Sequence, residues 1–170
     1  MRRIALLAVV LAIGCGSDDV DLTGIYQIAS AVESAPCGTD APQDMPPAFL
    51  KLTKDSFFGS DYFSMERCAD AAATDCSGGG LFGDSFQEPI DNGWRGESSA
   101  SSSGGSSDPT CTLTYTHGEA LLVGAKLTVE FNEYGTEVDN TEALCTSDEA
   151  QRRNDSMPCV RHEKLEATKL

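Results

Sequence analysis

Cysteine is the chemically reactive side chain that this sequence repeats, at positions 15, 37, 68, 76, 111, 145 and 159. No two of these stand in C-x-x-C spacing, so neither a dithiol redox centre nor a zinc knuckle is indicated. The two histidines, His117 and His162, have no second histidine or cysteine at metal-ligand spacing. Serines gather between Ser98 and Ser107, and none lies in a G-x-S-x-G elbow. Gly78-Gly79-Gly80 lacks the lysine and helix that follow a phosphate-cradling loop. Asp19, Asp21 and Gly24 start like a calcium loop, but Thr23 and Ser30 stand where that loop needs an oxygen-rich ligand and a bidentate glutamate. What remains for calcium is loose surface binding, through Asp18, Asp19 and Asp21 or through Asp139 and Glu142. No cofactor is expected. Carboxylates are plentiful, but in so acidic a chain they first serve solvation.

The formal charge is −15. A surface of that sign repels phosphate, so nucleic acid is excluded as a partner.

The N-terminal stretch MRRIALLAVVLAIGC sets the compartment. Two arginines precede a short apolar run and a small residue, the layout of a secretory signal. The run is too short to span a bilayer, which needs roughly 20 residues. A cytosolic helix is the competing reading, but Gly16-Ser17-Asp18-Asp19 breaks the apolar pattern at once. Arg2-Arg3 lacks the longer twin-arginine motif, which favours the general secretory route.

Ala12-Ile13-Gly14-Cys15 resembles the lipobox of bacterial lipoproteins, with alanine where leucine is commoner and Leu11 one place upstream. The resemblance implies cleavage after Gly14, a diacylglycerol thioether on Cys15 and a further acyl chain, such as palmitate, on its new amino group. One acyl chain anchors only marginally, and two or three hold firmly. Membrane lipid thus becomes the expected partner, and the cell envelope, the outer membrane foremost, the expected location. The domain then faces the periplasm or the cell surface. Without the two arginines of residues 1–14 the charge moves from −15 to −17.

Lipidation of Cys15 leaves six cysteines, Cys37, Cys68, Cys76, Cys111, Cys145 and Cys159, an even number in an exported chain. Three structural disulfides are expected. Three of these cysteines precede the Ser98–Pro109 stretch (SSASSSGGSSDP) and three follow it. Full pairing therefore forces at least one bridge across it, which makes it a disordered loop within one domain rather than a linker. The resulting plan is a signal peptide at 1–14, an acidic tether at 15–21 and one β domain at 22–170. A helix over 68–76 would hold Cys68 and Cys76 about 12 Å apart, beyond disulfide reach. Either that segment turns or the two have other partners.

The elements that must position these cysteines are mostly strands. Alternation marks Leu22–Val32, Phe49–Thr53, Phe57–Arg67, and a pair at roughly 111–122 and 126–134 turning near Gly124, or else one continuous strand over 121–131. In the third of these, Phe63, Met65 and Arg67 share a face. Asp91-Asn92-Gly93 signals a hairpin, and the only tryptophan, Trp94, is expected in the core. Thr146-Ser147-Asp148-Glu149 is a capping box and predicts a short helix over 147–153. A final strand over 160–170 would turn Leu165 and Ala167 inward. The helix and the slack of Asn154–Pro158 suggest a local Cys145–Cys159 bridge, with Cys111 joined to Cys37, Cys68 or Cys76.

The fold class expected is mainly β: a small antiparallel barrel or sandwich of about eight strands with one short helix. Leu22-Thr23-Gly24-Ile25-Tyr26 resembles the opening strand of lipocalin-like barrels, and the chain as a whole is similar to small acidic, cysteine-containing bacterial lipoproteins. Two functions follow. One is a non-enzymatic envelope lipoprotein acting through structure or surface contacts, with another envelope protein as partner. The other is a barrel holding a small apolar or amphipathic ligand, which an interior filled by Trp94, Tyr115 and Phe131 would exclude. An enzyme would need His117 or His162 beside a buried carboxylate in a cleft.

Overall fold

The structure is a computed structural model that describes residues 19–44, 46–78, 84–105 and 108–170. The expected signal stretch and Cys15, the expected lipidation site, lie outside the described residues, as does Gly79-Gly80. The strands are β1 (Gly24–Ser34), β2 (Ala41–Pro42), β3 (Phe49–Phe57), β4 (Ser60–Cys68), β5 (Cys76–Gly78), β6 (Ser85–Phe86), β7 (Glu88–Ile90), β8 (Gly93–Ser102), β9 (Thr110–Val123), β10 (Lys126–Asp139) and β11 (Cys159–Lys169). One helix, α1 (Ser147–Arg153), precedes a 3-10 turn at Asn154–Ser156.

Every ladder is antiparallel, in the order β5-β4-β3-β1-β11-β10-β9-β8-β7, with β2 on β1 and β6 on β4. The mainly β expectation holds, but the closed barrel of about eight strands does not: eleven strands form an unclosed sheet. The segment Ser85–Ile90 spans the gap. Its first two residues pair with Phe63 and Ser64 of β4, and its last three pair with Gly93–Arg95 of β8. A Cβ on Gly96 would run into the Ser85 carbonyl, so that crossing requires glycine there.

Alternation builds the core. Tyr26, Leu50, Leu52, Phe63, Met65, Phe86, Trp94, Ala120, Leu127, Val129, Leu165 and Ala167 are buried on the inner face, with Phe131 packed against them. In β1 the register shifts between Ile28 and Ser30, a bulge that brings Tyr26 and Ala31 into one core although plain alternation puts them on opposite faces. The long hairpin β9–β10 serves two cores. Gly118 and Ala120 face the inner one, whereas Cys111, Leu113 and Tyr115 face a second cluster under α1 with Ala150 and Met157. Tyr115 is therefore not part of the inner filling.

The capping box performs as expected: the Thr146 hydroxyl accepts the Glu149 N–H at 3.1 Å, and α1 runs over 147–153. The β9–β10 hairpin turns at Gly124–Ala125, which removes the single-strand alternative. Ser98–Ser102, expected to be loop, is strand and pairs with Thr112–Thr116. Only the remainder of that stretch connects strands, and Ser106-Ser107 lies outside the described residues.

An antiparallel sheet alternates its connections between two ends, and here the ends differ. At the near end the segment Asp19–Leu22 enters, and the turns Phe58-Gly59, Asp91-Asn92 and Gly124-Ala125 are two residues long. At the far end lie the longer connections and all three disulfides, Cys37–Cys159, Cys68–Cys76 and Cys111–Cys145. The expected local bridge Cys145–Cys159 is overturned, as is any pairing of Cys111 with Cys37, Cys68 or Cys76. The cause is which side of β10 each cysteine reaches. Val138 pairs with Cys111 and the Asn140 N–H bonds to the Pro109 carbonyl, so Cys145 arrives on the β9 side. By Cys159 the chain has crossed to the other side of β10, where it starts β11 opposite Tyr134. Cys37–Cys159 is the bridge that crosses the serine stretch. The Cys68–Cys76 segment turns rather than coiling: the Asp70 carboxylate accepts N–H bonds from Thr74 and Asp75, and the Cα atoms of the two cysteines stand 4.0 Å apart.

Candidate functional site

On the inner face the apolar filling gives way to charge toward the far end. β4 buries Phe63 and Met65, and two positions on, the same alternation brings in Arg67. β11 buries Leu165 and Ala167 and, one step earlier in the same period, Glu163, which is 3% exposed. Their side chains meet in a two-pronged ion pair. Arg67 Nη1 donates to Glu163 Oε1 at 2.7 Å and Nη2 to Oε2 at 2.9 Å. Arg67 also donates to Asp84 Oδ2, at 3.3 Å from Nε and 3.1 Å from Nη2. The Gln43 amide adds a bond of 2.6 Å to Glu163. Arg161 stands 3.6 Å from both Glu163 and Glu33.

Burial pushes the Glu163 carboxyl up, but the hydrogen bonds and charge of Arg67, helped by Gln43 and Arg161, outweigh it and hold the group below its ordinary range. Burial pulls Arg67 down in the same way, and Glu163 and Asp84 more than reverse that. Both shifts favour the charged forms, so the pair is held together by charge as well as by its hydrogen bonds. Over the pair opens a recess of about 120 Å³, walled also by Thr116, Phe131 and Glu133, and beside it, sharing Arg67, Asp84, Arg161 and Glu163, a more open groove of about 500 Å³ is lined by Glu33, Gln43, Asp44 and Pro47. Pockets for drug-sized ligands enclose roughly 300–1,000 Å³. The groove reaches that size, but most of the lining of both is charged, which suits a charged or hydrogen-bonding group rather than an apolar ligand.

Both histidines lie on the outer face. His162 Nδ1 is 2.8 Å from Asp40 and Nε2 is 3.2 Å from Glu130. Carboxylates only accept, so the ring serves both only when both nitrogens carry protons. The hydrogen bond that the ring donates to Asp40 is the chief cause of a His162 pKa raised above 6.5. In that doubly protonated form the ring has no lone pair for a general base. His117 stands 3.4 Å from Glu119 and 3.8 Å from Glu97. Asp21 accepts the Thr23 N–H, and among the described residues no three His, Cys, Asp or Glu side chains group as a metal site. Asp18, one of the calcium candidates, lies outside them.

The raised His162 pKa fixes a sign. Its stabilisation is complete below the unfolded value near 6.5 and is lost as pH rises through the higher folded value. Thermal denaturation between about pH 6 and pH 9 is therefore expected to show a melting temperature that falls with pH over that window. In His162→Gln the slope is expected to vanish; an unchanged slope would assign the titration to another group.

The sequence singled out neither Arg67 nor Glu163 as a site, and it did place Arg67 on the face of Phe63 and Met65. A charge at an inward position of a strand was the available signal. No family model, curated protein or solved structure was found to match this chain.

Proposed function

We propose that this chain is a lipid-anchored protein of the bacterial cell envelope that works without catalysis, through its structure and its surface contacts. The observation that carries the reading is how the cysteines divide. The six within the described residues pair among themselves, and the seventh, Cys15, is the one claimed by the lipobox-like stretch. Three disulfides also suit an oxidising compartment outside the cytosol. The envelope, and the outer membrane in particular, is the location that a lipobox favours.

The non-catalytic part of the reading draws on the site. Glu163 and Arg67 satisfy each other, and His162 has both nitrogens engaged. The surface that faces away from the anchor is then the far end, stapled by the three bridges and acidic around Glu33, Asp44 and Asp84. That end is the natural contact for an envelope partner. A small apolar ligand gains no support from the recess and the groove beside it, whose lining is mostly charged.

The test is Cys15→Ala in the full chain, followed by membrane fractionation and mass spectrometry of the N-terminal peptide. The parent protein is expected in the membrane fraction with acyl mass on Cys15. The variant is expected to be released, or to accumulate with residues 1–14 uncleaved. A variant that matures and stays membrane-bound would refute the anchor.

A further inference from the structure

The near end carries a feature that folding alone does not explain. Phe57 closes the β3–β4 ladder opposite Ser60, and Phe58-Gly59 forms the two-residue turn between them. Both turn residues have positive φ, +50° at Phe58 and +85° at Gly59. That is the pattern of a I′ turn, whose first position favours asparagine, aspartate or glycine. A phenylalanine there takes on left-handed backbone strain on the order of 1 kcal/mol. It regains nothing by burial, because Phe58 is 95% exposed, and Phe57 beside it is 50% exposed with its ring edge against Phe58. At the next hairpin tip of the same end, Val123 is 69% exposed.

This end is also where the chain arrives from Cys15. The Trp94 indole donates to the Val20 carbonyl at 2.7 Å, and Leu22 is fully buried, so the segment after Asp19 crosses the near end of the core. Asp19 and Asp21 both act electrostatically on Lys54, which lies on the part of β3 that leads to Phe57. From Cys15 to Asp19 four residues span at most about 14 Å. β3 runs five residues past Leu52, the partner of Gly24, a further roughly 17 Å toward the Phe58 tip. A Cys15 held at a bilayer surface therefore keeps this end within reach of it.

We propose that the near end is a membrane-seating surface, with Phe57, Phe58 and Val123 entering the interfacial zone of the bilayer that holds acylated Cys15. The proposal rests on the anchored reading above. Aromatic and aliphatic side chains gain by leaving water there, and the interface tolerates the polar backbone of the turn. Seating fixes the sheet upright and presents the disulfide-stapled far end outward, whereas an anchor alone would leave the domain free to tumble on its tether. Asp19, Asp21, Asp61 and Asp91 sit at the same end, so an uncharged phosphatidylcholine surface is the fitting probe.

The experiment places single tryptophans in the full-length protein, purified from membranes and reconstituted in phosphatidylcholine vesicles brominated on the upper acyl chain. Phe58→Trp and Val123→Trp report the near end, and Ala72→Trp, in the exposed turn between Cys68 and Cys76, reports the far end. The parent protein gives the background of buried Trp94. Phe58→Trp and Val123→Trp are expected to shift to the blue and lose most of their added emission, and Ala72→Trp to lose none. Having two near-end reporters keeps the test alive should one variant fold poorly. Mass spectrometry of the same samples reads the anchor separately. Acylated protein with unquenched near-end tryptophans overturns the seating and leaves the anchor standing, as it would if these residues docked on a protein instead. Unacylated protein that is still quenched by added vesicles upholds the seating and removes the anchor. Unacylated and unquenched protein overturns both.

Discussion

Replacing Cys37 and Cys159 together by alanine is expected to lower the unfolding free energy by about 5 kcal/mol, the largest loss among the three bridges. The reasoning is chain entropy: a cross-link removes unfolded conformations in proportion to the logarithm of the loop it closes. Cys37–Cys159 spans 122 residues, Cys111–Cys145 spans 34 and Cys68–Cys76 spans 8. The same relation gives about 4 kcal/mol for the second and about 2.5 kcal/mol for the third. Domains of this size have total stabilities of about 5–15 kcal/mol, so loss of the longest bridge brings the fold close to unfolding at ambient temperature. Chemical denaturation of the three paired-alanine variants checks the order. A Cys68→Ala/Cys76→Ala variant less stable than Cys37→Ala/Cys159→Ala would refute the entropic account. Cleavage between Ser102 and Thr110 without reduction supplies a second readout, because only this bridge then joins the two pieces covalently.

Arg67→Met is expected to cost about 3 kcal/mol, the lower part of the range for breaking a buried ion pair from one side. The lower part applies because Arg67 is 23% exposed and because Gln43 and Arg161 still face Glu163 after the change. The larger share of the loss comes from the carboxylate left behind at 3% exposure, not from the attraction removed. It follows that Arg67→Met/Glu163→Leu, which leaves no stranded charge, is expected to be more stable than Arg67→Met alone. Urea midpoints of the two variants decide it; a double variant no better than the single one would show that the pair itself supplies the stability. The pH dependence has the acid sign. The folded Glu163 pKa lies below 4.5, so its contribution is present above the unfolded value and is lost as pH falls through the lower folded one.

Much of this molecule follows from local pattern. Period-two alternation located β4, β9, β10 and β11, and it turned Leu165 and Ala167 inward, because a strand shows successive side chains to opposite faces wherever it lies. The capping box located α1 to the residue, since the Thr146 hydroxyl takes the Glu149 N–H within one turn and needs no partner from elsewhere. The parity of three cysteines on each side of the serine stretch required a bridge across it, and one is there.

What only the tertiary structure decided are relations between elements distant in sequence. Alternation says that Arg67 and Glu163 face inward but not that β3, β1 and the curl of the sheet bring them to 2.7 Å. Ser98–Ser102 has the composition of a loop and becomes strand because β9 offers it a complete ladder of backbone partners, which composition does not record. The pairing of Cys145 turned on which side of β10 the returning chain passes, a choice of topology that leaves no mark on cysteine spacing. The same holds for closure: whether Ser85–Ile90 completes a barrel depends on register across two neighbours, β4 and β8, and here it divides between them. The physical reason is common to all four. Side-chain period, capping and loop parity are properties of the chain itself, whereas ladder partners and ion pairs are set when segments far apart in sequence, such as β1 and β11, compete for the same neighbours.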